Sequence, residues 1–408
     1  MKRVVVTGMA SITSLGQDWE TFSGNLRDKQ SGIRYMDEWD VYEGLNTRLG
    51  GPVMDFEKPA HYTRRQLRSM GRIAMLSTRA AELALEQAGL LGDPVVQSGD
   101  MGVAFGSSSG TPSAVGDFGN MLINKRIDGL NATTYIKMMS HTAPVNIGVF
   151  FGLQGRVITT SSACTSGSQG IGYAYEAIQT GKQKAMIAGG AEEQCATQSA
   201  VFDTLFATSL MNESPTRSPR PFDKDRDGLV IGEGAGALIL EEYEFAKARG
   251  ANIIAEIVGF GTNSDGKHIT SPSKETMQGA MRLALQDAGL SASAVGFVCA
   301  HGTATEQGDI AESQATLGQF GNNIPITSLK GYLGHTLGAC GAIEAWASIQ
   351  MMNNDWYAAN MNLDNVDERC ADLDYIVGTG REMSNEYVMS NNFAFGGINT
   401  SLIFKRVS

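Results

Sequence analysis

The sequence predicts an α/β fold built from two related halves. Apolar runs typical of strands alternate with helical patterns along all 408 residues, as in proteins whose sheets are covered by helices. The segment LALEQAGL at residues 83–90 recurs 200 residues later as LALQDAGL at residues 283–290. A hydrophobic strand pattern follows each copy, at residues 101–106 and 295–300. One helix-then-strand unit is therefore expected to occur twice.

A second internal similarity links the helices that are predicted to follow Cys164 and His335. At an offset of 171 residues Gly167 falls on Gly338, and a similar pattern of small residues continues through both helices. Two halves related by a pseudo-twofold axis would then present Cys164 and His335 at equivalent helix starts that face a common site. The alternative is chance similarity between two helices rich in glycine and alanine.

The repeats divide the chain into residues 1–247 and residues 248–408. No segment rich in proline or serine separates these halves, and the turn at residues 248–251 is the expected seam. We therefore expect two halves that pack tightly as one unit.

Cys164 stands where a predicted strand at residues 156–160 gives way to a predicted helix opened by small residues at 161–170. A helix start presents free backbone N–H groups and the positive end of the helix dipole. Such a position can lower the pKa of a cysteine from about 8.5 to roughly 3.5–7.5. We therefore interpret Cys164 as a nucleophile with a lowered pKa, the alternative being a buried structural cysteine.

Two of the 5 histidines lie in turns rich in glycine and threonine. His301 follows the apolar run at residues 295–299, and His335 lies within KGYLGHTLG at residues 330–338. Such turns allow a ligand to approach the backbone closely. Both histidines are candidate partners of Cys164, although a lone histidine is more often a satisfied core or surface residue.

Several motifs extend this pattern nearly from end to end: RVVVTGM at 3–9, SSACTSG at 161–167, PFDKDRDG at 221–228, GEGAG at 232–236, HGT at 301–303, GH at 334–335 and NFAFGGIN at 392–399. In this order they resemble the β-ketoacyl-(acyl carrier protein) synthases of the elongating type, which are condensing enzymes of the thiolase fold. The resemblance implies two βαβαβ halves, related by a pseudo-twofold axis, in a five-layered αβαβα structure. The nucleophilic cysteine would lie in the first half and both histidines in the second.

The resemblance also implies the reaction of an acyltransferase, a decarboxylative Claisen condensation. An acyl chain would be loaded on Cys164, and malonyl-acyl carrier protein would lose CO2 and attack it, giving 3-oxoacyl-acyl carrier protein. The backbone N–H groups of Cys164 and Phe395 would form an oxyanion hole, and His301 and His335 would stabilise the enolate by hydrogen bonds.

Further site residues follow from the same resemblance. They are Lys330 and Glu344 as supporting charges, Thr303 and Thr305 as contacts of the phosphopantetheine arm, and Phe202 and Phe395 as gates of the acyl pocket. The alternative for Phe202 is an ordinary core residue. No cofactor is implied beyond the phosphopantetheine arm that carries the substrates.

The loop at residues 392–399 departs from the family pattern. Ala394 precedes the gating Phe395 where glycine is common, and Ile398 stands where threonine is common. These changes restrict the backbone of the loop, and they do not determine which acyl chain the protein would accept. Fatty acid synthesis and a specialised polyketide or polyene pathway on a separate carrier protein both fit.

Three related classes are alternatives. A CoA-dependent thiolase would need a second catalytic cysteine near the C-terminus, and neither Cys340 nor Cys370 lies in a matching motif. A chain-length factor would be a non-catalytic partner without the nucleophile, whereas this chain has Cys164. A synthase that initiates from CoA generally has asparagine at the position of His335.

A basic segment is the candidate docking surface for the acidic carrier protein, because the net charge of the chain itself is −11. Read as one helix, residues 62–72 place Arg65, Arg68 and Arg72 on a single face. Lys125 and Arg126 form a possible second patch. The alternative is an ordinary solvated basic face.

Composition excludes several other classes. The acidic net charge of −11 argues against nucleic acid as a partner. The N-terminus lacks the plan of a signal peptide, and no apolar run is long enough for a membrane helix, so we expect a cytoplasmic protein without membrane contact. The 5 cysteines show no paired spacing, which predicts a reducing compartment and no metal site. Residues 143–151 lie in the region that pairs subunits in the family, which implies a homodimer or a heterodimer with a related subunit.

Overall fold

Sixteen strands and thirteen α-helices occur within residues 1–407, the part of the chain that the computed structural model describes. The helices are α1 (Trp19–Arg27), α2 (Arg64–Leu67), α3 (Arg72–Gln87), α4 (Pro112–Asn124), α5 (Ala132–Met138), α6 (Thr142–Phe151), α7 (Ser166–Gln179), α8 (Ala196–Asp203), α9 (Tyr243–Ala248), α10 (Lys274–Ala288), α11 (Glu306–Phe320), α12 (Lys330–Leu333) and α13 (Cys340–Asn353). The strands are β1 (Val4–Thr13), β2 (Arg34–Tyr35), β3 (Leu49–Gly51), β4 (Met101–Gly106), β5 (Val157–Thr160), β6 (Ala185–Glu192), β7 (Ile231–Gly232), β8 (Gly234–Glu242), β9 (Ala255–Ser264), β10 (Val295–Cys299), β11 (Pro325–Thr327), β12 (Trp356–Tyr357), β13 (Asp374–Tyr375), β14 (Arg381–Glu382), β15 (Tyr387–Ala394) and β16 (Ile398–Arg406).

The main sheet contains the same five-stranded topology twice. The strand order is β5-β4-β6-β8-β1 in the first half and β11-β10-β15-β16-β9 in the second. In each half the first three strands are parallel, and the last two pair antiparallel with their neighbours. A short antiparallel pairing of β1 with β9 joins the halves. The repeated order confirms the predicted pseudo-twofold relationship.

Helices form three layers around the two halves of the sheet. Helices α3 and α6 cover the outer face of the first half, and α10 and α11 cover that of the second. Between the halves lie α7 and α13, whose side chains pack into the largest hydrophobic core together with residues from both halves of the sheet. This arrangement confirms the predicted five layers. Within residues 1–407, no helix has the length and apolar character needed to span a membrane.

The first internal repeat occupies equivalent places in the two halves. A Cβ atom added to Gly8 of β1 would meet the backbone oxygen of Ala84 in α3 at 2.1 Å. A Cβ atom added to Gly259 of β9 would meet the backbone oxygen of Ala284 in α10 at 2.3 Å. Both glycines let a helix approach a strand of its own half closely. The predicted offset of 200 residues is therefore confirmed. The predicted seam at residues 248–251 begins at the last residue of α9 and ends before β9.

The second repeat has a different register from the predicted one. Helices α7 and α13 begin at residues 166 and 340 and end at residues 179 and 353, an offset of 174 at both ends. Their contacts are reciprocal at the same offset: a Cβ on Gly167 would meet Ala342 at 2.9 Å, and a Cβ on Gly341 would meet Ser168 at 2.6 Å. Small residues on both sides therefore allow the two helices to pack closely across the pseudo-twofold axis.

A short 3-10 turn precedes each of these helices, at Ala163–Thr165 and at Leu337–Ala339. Ala163 has φ of 51° and Leu337 has φ of 45°, so the two turns share an unusual left-handed first residue. The equivalent of Cys164 is therefore Gly338, and the predicted equivalence of Cys164 with His335 is wrong by three residues. The error arises because glycines spaced three apart occur in α7 and again from the turn before α13 into α13, so a shift by that spacing still aligns glycine with glycine.

Candidate active site

Cys164 lies at the bottom of a cavity, in the 3-10 turn between β5 and α7. Its side chain is buried, and the Sγ atom lies 3.0 Å from Nε2 of His335. The two residues are brought together because their turns sit at the starts of helices that pack against each other between the halves. The structure thus joins the predicted nucleophile with one predicted histidine.

The thiol of Cys164 does not have the lowered pKa that its position at a helix start predicts. Burial raises its pKa to about 11, although the charge of Lys330 and the backbone N–H groups of Phe395 and Cys164 act in the opposite direction. Helix α7 begins two residues later, at Ser166. Removal from water therefore outweighs the stabilisation of the thiolate, and the free site holds a protonated thiol at neutral pH.

His335 is held in one orientation by backbone hydrogen bonds. Its N–H donates to the oxygen of Val230 at 2.7 Å, and its oxygen accepts from Gly232 at 2.9 Å. The ring atom Nδ1 accepts from the N–H of Leu337 at 3.3 Å. Because Nδ1 accepts a hydrogen bond, Nε2 must carry the ring proton in the neutral form. His335 therefore points an N–H donor toward the sulfur of Cys164.

His301 follows β10 in a turn that a buried carboxylate holds. Glu312 accepts the backbone N–H of His301 at 2.7 Å and that of Gly302 at 2.6 Å. The ring of His301 stands almost perpendicular to that of His335, with the ring centres 5.1 Å apart. The two imidazoles therefore converge on the space next to Cys164, as the sequence predicts.

A buried ion pair lies behind the two histidines. The Nζ atom of Lys330 contacts Oε1 of Glu344, and Oε2 of Glu344 accepts from Nδ2 of Asn392 at 2.6 Å. Burial alone would lower the pKa of Lys330, but Glu344 raises it above its ordinary value. Burial and the charge of Lys330 lower the pKa of His301 and His335 well below the ordinary value. Both imidazoles are therefore neutral at physiological pH.

The cavity above Cys164 has a volume of about 410 Å³. Phe202 and Phe395 line it with their ring centres 5.0 Å apart, close to the predicted gate position. Thr303 and Thr305 line the approach, and their hydroxyl groups are hydrogen-bonded at 2.9 Å. These four predicted residues thus line the same cavity as Cys164.

Phe395 lies in the turn between β15 and β16. The next two residues, Gly396 and Gly397, have φ of 87° and 71°, values that glycine adopts without strain. A Cβ atom on Gly397 would meet Cβ of Asp265 at 2.6 Å. The glycines therefore permit a tight turn that carries the gating ring.

The donor atoms of Cys164, His301 and His335 lie within 4.8 Å of one another, a set that could hold a metal ion. A metal would need the lone pair of Nε2 in His335, yet the hydrogen bond from Leu337 to Nδ1 places the proton on Nε2. In a second set, His301, Cys340 and Glu344, the carboxylate is already paired with Lys330. Both sets are therefore better suited to hydrogen bonding than to metal binding.

The sequence matches a family model for the β-ketoacyl synthase N-terminal domain over residues 1–246 and one for the C-terminal domain over residues 254–364. The chain belongs to the β-ketoacyl synthase family. It is 38% identical over 414 residues to 3-oxoacyl-[acyl-carrier-protein] synthase 2 of Vibrio cholerae, covering 100% of this chain and 99% of the relative. It is 33% identical over 411 residues to synthase 1 of Escherichia coli, with 100% of both chains covered.

Solved structures of β-ketoacyl synthases share the fold over the whole chain. The enzyme from Burkholderia phymatum superimposes with a TM-score of 0.99 at 57% identity, covering 100% of both chains. The ishigamide ketosynthase/chain length factor superimposes with a TM-score of 0.89 at 30% identity, again with 100% of both chains covered. The similarity thus spans both halves, including the segments that build the cavity.

Within this β-ketoacyl synthase, the predicted basic helix is broken. Helix α2 covers only four residues, and α3 begins at Arg72 after Gly71. Arg72 forms a two-pronged ion pair with Glu233, at 2.5 and 2.9 Å, and also donates to the oxygen of Val53. The prediction that Arg72 shares an exposed face with Arg65 and Arg68 is therefore wrong, because Arg72 is engaged with a buried carboxylate.

Other predicted docking residues lie on the surface. Arg65 and Arg68 are exposed at α2 and the turn that follows it. Lys125 and Arg126 are exposed at the end of α4, where Arg126 pairs with Asp128 at 2.6 Å. These four cations remain candidates for contact with an acidic partner.

The cysteines that a thiolase would require do not face the cavity. Cys340 is buried, and its Sγ donates to the backbone oxygen of Cys164 at 3.2 Å. Cys370 packs in the outer core of the second half. Among the described residues that line the cavity, Cys164 is the single cysteine. This favours the synthase over a thiolase.

Two residues that support the site were not predicted from the sequence. Asn392 completes the hydrogen bonding of Glu344, and Glu192 accepts the N–H groups of Ser108 at 2.8 Å and Gly338 at 3.0 Å. Asn392 lies in one of the sequence motifs, and a polar side chain on a buried strand is a signal that could have marked it as a supporting residue. Glu192 could have been found by the same signal, because it is a charged residue at the end of an apolar strand.

Proposed function

We propose that the protein catalyses the decarboxylative condensation of an acyl chain with malonyl-acyl carrier protein, giving 3-oxoacyl-acyl carrier protein and CO2. The observation that carries this proposal is the placement of one thiol and two neutral imidazoles around the end of one cavity. The family shares this overall activity, since curated relatives at 33% and 38% identity are 3-oxoacyl-[acyl-carrier-protein] synthases.

Acyl loading is a thiol–thioester exchange at Cys164. The sulfur attacks the thioester carbonyl of the incoming acyl chain, the bond to the carrier sulfur breaks, and the thiol proton leaves with that sulfur. The N–H groups of Phe395 and Cys164, which act on the sulfur in the free site, are placed to hold the oxyanion of the tetrahedral intermediate. These two N–H groups thus contribute most when negative charge develops on the oxygen of that intermediate.

Condensation uses the two histidines as hydrogen-bond donors. The malonyl thioester carbonyl accepts from His301 and His335, the bond to the carboxylate breaks, and CO2 leaves while the electron pair forms an enolate. The enolate carbon then attacks the acyl group on Cys164 and displaces its sulfur as a thiolate, which takes up a proton from water to restore the thiol. Because decarboxylation itself generates the carbon nucleophile, the reaction requires no strong base and no redox or metal cofactor.

Lys330 has an electrostatic role in this scheme. Burial is the main cause of the lowered pKa of both imidazoles, and the charge of Lys330 acts in the same direction, while Glu344 balances that charge within the protein. A neutral imidazole can donate to the forming enolate without first losing a proton. We therefore assign Lys330 and Glu344 as positioning residues rather than as groups that react.

Substrates reach the site on phosphopantetheine arms. Thr303 and Thr305 line the approach and offer hydroxyl groups to the amides of the arm, and Phe202 and Phe395 separate it from the acyl pocket. An acidic acyl carrier protein is the proposed donor, and the exposed cations Arg65 and Arg68 are its proposed dock. A solved relative, 29% identical with a TM-score of 0.88, is described as a type II acyl-carrier protein in complex with its ketosynthase, which supports this proposal.

We further propose that two copies of the chain associate through β5. This strand forms the edge of the main sheet, and its Val157 is half exposed. Helix α6 packs against β5 and exposes Val149, while α4 exposes Leu122 and Ile123. A second copy would continue the strand pairing and cover this apolar surface. The alternative partner for this surface is a related subunit, which would give a heterodimer like the solved ketosynthase and chain length factor complexes.

The dimer is tested by sedimentation of the purified chain. Wild-type protein should sediment as a dimer, and Val149→Glu should shift it toward the monomer. A wild-type monomer that dimerises only with a related subunit would overturn the homodimer.

The reaction is tested by intact mass spectrometry with a panel of acyl-carrier thioesters, followed by malonyl-acyl carrier protein. The expected result is an acyl adduct on Cys164, then a 3-oxoacyl carrier two carbons longer than the primer. Cys164→Ser should show no adduct at the same protein concentration. Adducts that map to another residue, or release of product without CO2, would overturn the assignment.

A further inference from the structure

A second, shallower groove adjoins the mouth of the active-site cavity. It has a volume of about 350 Å³ and lies between the loop before α10 and the first turns of α11. His268, Ser271, Pro272 and Gln307 line both the groove and the cavity, so the two spaces are continuous. A ligand that extends from Cys164 through the cavity can therefore reach this groove.

The groove carries more positive than negative charge. Lys267 and Lys274 line it, and both are exposed. Glu275 is the acidic residue among its lining residues, and its carboxylate accepts from the hydroxyl of Ser273 at 3.0 Å. Both lysines lie close enough to help lower the pKa of Glu275, after its own backbone N–H and Ser273. Two cations against one partly satisfied carboxylate leave a local excess of positive charge on a chain of net charge −11.

The ring of His268 adds a donor at the shared mouth. Its Nδ1 atom accepts from the backbone N–H groups of Thr270 and Ser271, each at 3.1 Å. As with His335, accepting at Nδ1 places the proton of the neutral ring on Nε2. His268 therefore offers an N–H group where the cavity opens into the groove.

We propose that this groove binds the phosphate ester of the substrate's pantetheine arm, with Lys267 and Lys274 as its charged contacts and His268 as a hydrogen-bond donor. The inference rests on the proposed function, which places the thioester at Cys164 and the arm along the cavity. Lysine binds phosphate as a mobile point charge, which suits an open groove at the surface. The groove thus favours substrates on phosphopantetheine over substrates on pantetheine, which lacks the phosphate. This preference does not depend on the protein or small molecule to which the phosphate is attached.

The test uses two small substrates that differ only in the phosphate, acyl-phosphopantetheine and acyl-pantetheine. For each enzyme the ratio of kcat/KM for acyl transfer between the two substrates is measured at low ionic strength. Wild-type protein should prefer the phosphorylated substrate about 5-fold, the size expected of two exposed charge contacts. The preference should shrink as salt is added, because exposed charges are screened.

Three variants locate the effect. Lys267→Ala combined with Lys274→Ala should bring the ratio close to one, whereas Lys182→Ala, an exposed lysine beyond the far end of α7, should keep the wild-type ratio. Glu275→Gln should increase the preference, because it removes the opposing charge.

Two results would overturn the groove assignment: equal use of both substrates by the wild-type enzyme, or a preference that the double variant retains. Either result leaves the condensation itself intact. Failure of the proposed function would instead be seen as no transfer from either substrate.

Discussion

The Nε2 atom of His335 lies 3.0 Å from the Sγ atom of Cys164, across 171 residues of sequence. Leu337 donates a hydrogen bond to the other ring nitrogen, Nδ1, so Nε2 carries the ring proton. In this contact Nε2 is therefore a hydrogen-bond donor to the sulfur, and it cannot act as the base that accepts the thiol proton. The geometry therefore separates two tasks. In the proposed reaction His335 stabilises negative charge near the sulfur, and burial keeps the thiol protonated until a substrate arrives.

Alkylation of Cys164 by iodoacetamide should follow its raised pKa. Since only the thiolate reacts, the rate should keep rising with pH and reach half of its plateau near pH 11, the value that burial sets. At pH 8, Cys164 should therefore react more slowly than a free cysteine in the same solution. Quantifying the modified active-site peptide by mass spectrometry gives the rate. A midpoint below pH 8.5 would show that the helix start dominates instead.

Replacement of His335 should affect decarboxylation more than acyl loading. His335→Ala removes an enolate donor, and release of CO2 from malonyl-acyl carrier protein should fall by about 100-fold or more, as for loss of one oxyanion donor. His335→Gln keeps an N–H donor and should retain more activity than alanine. The measurement pairs CO2 release with formation of the acyl adduct on Cys164. Equal losses in both steps would contradict the division of tasks.

The three residues that the structure brings together at the end of the cavity could be singled out from the sequence, because each lies in a short motif with its own local signal. Cys164 is flanked by small residues at a strand-to-helix junction, and His301 and His335 lie in glycine-rich turns. These signals come from neighbouring residues in the sequence, so they can be recognised without knowledge of the fold. The repeated helix-then-strand unit likewise indicated two related halves, although it did not indicate the order of their strands.

The predictions that were wrong depended on distant residues or on spacing alone. Arg72 is held by Glu233, which lies 161 residues away and gives no local sign of the contact. The pKa of Cys164 is raised by burial that both halves create together. The predicted register of the second repeat was displaced because glycines recur three residues apart both in α7 and from the turn before α13 into α13. Long-range packing decides each of these features.

Removal of one partner of the buried ion pair should destabilise the protein strongly. Glu344→Gln leaves the ammonium of Lys330 buried without a counter-charge, and the free energy of unfolding should fall by about 3–5 kcal/mol. Combining it with Lys330→Met removes the unpaired charge and should restore much of that loss. Urea unfolding followed by circular dichroism measures both variants. A double variant as unstable as Glu344→Gln would mean that packing, not charge, causes the loss.

The exposed arginines and Arg72 should respond differently to charge reversal. Arg65→Glu combined with Arg68→Glu should raise KM for acyl-carrier substrates about 10-fold and leave the melting temperature close to that of the wild type, because both side chains are exposed. Arg72→Glu should instead destabilise the fold by about 3–5 kcal/mol, since it places a second carboxylate beside the buried Glu233. Steady-state kinetics and thermal melts distinguish the two effects.

Salt and substrate size sharpen that comparison. Added salt should weaken carrier binding to the wild type and narrow its difference from the double reversal, since exposed charges are screened beyond about 8 Å at physiological ionic strength. An acyl-pantetheine substrate has no acidic protein surface and should reveal a much smaller difference. The matched control is Arg282→Glu, a charge reversal at an exposed arginine on the outer helix α10. This variant should bind the carrier protein as the wild type does. If the double reversal impaired both substrates equally, the dock would have to lie elsewhere, and Lys125 and Arg126 would be the next pair to reverse.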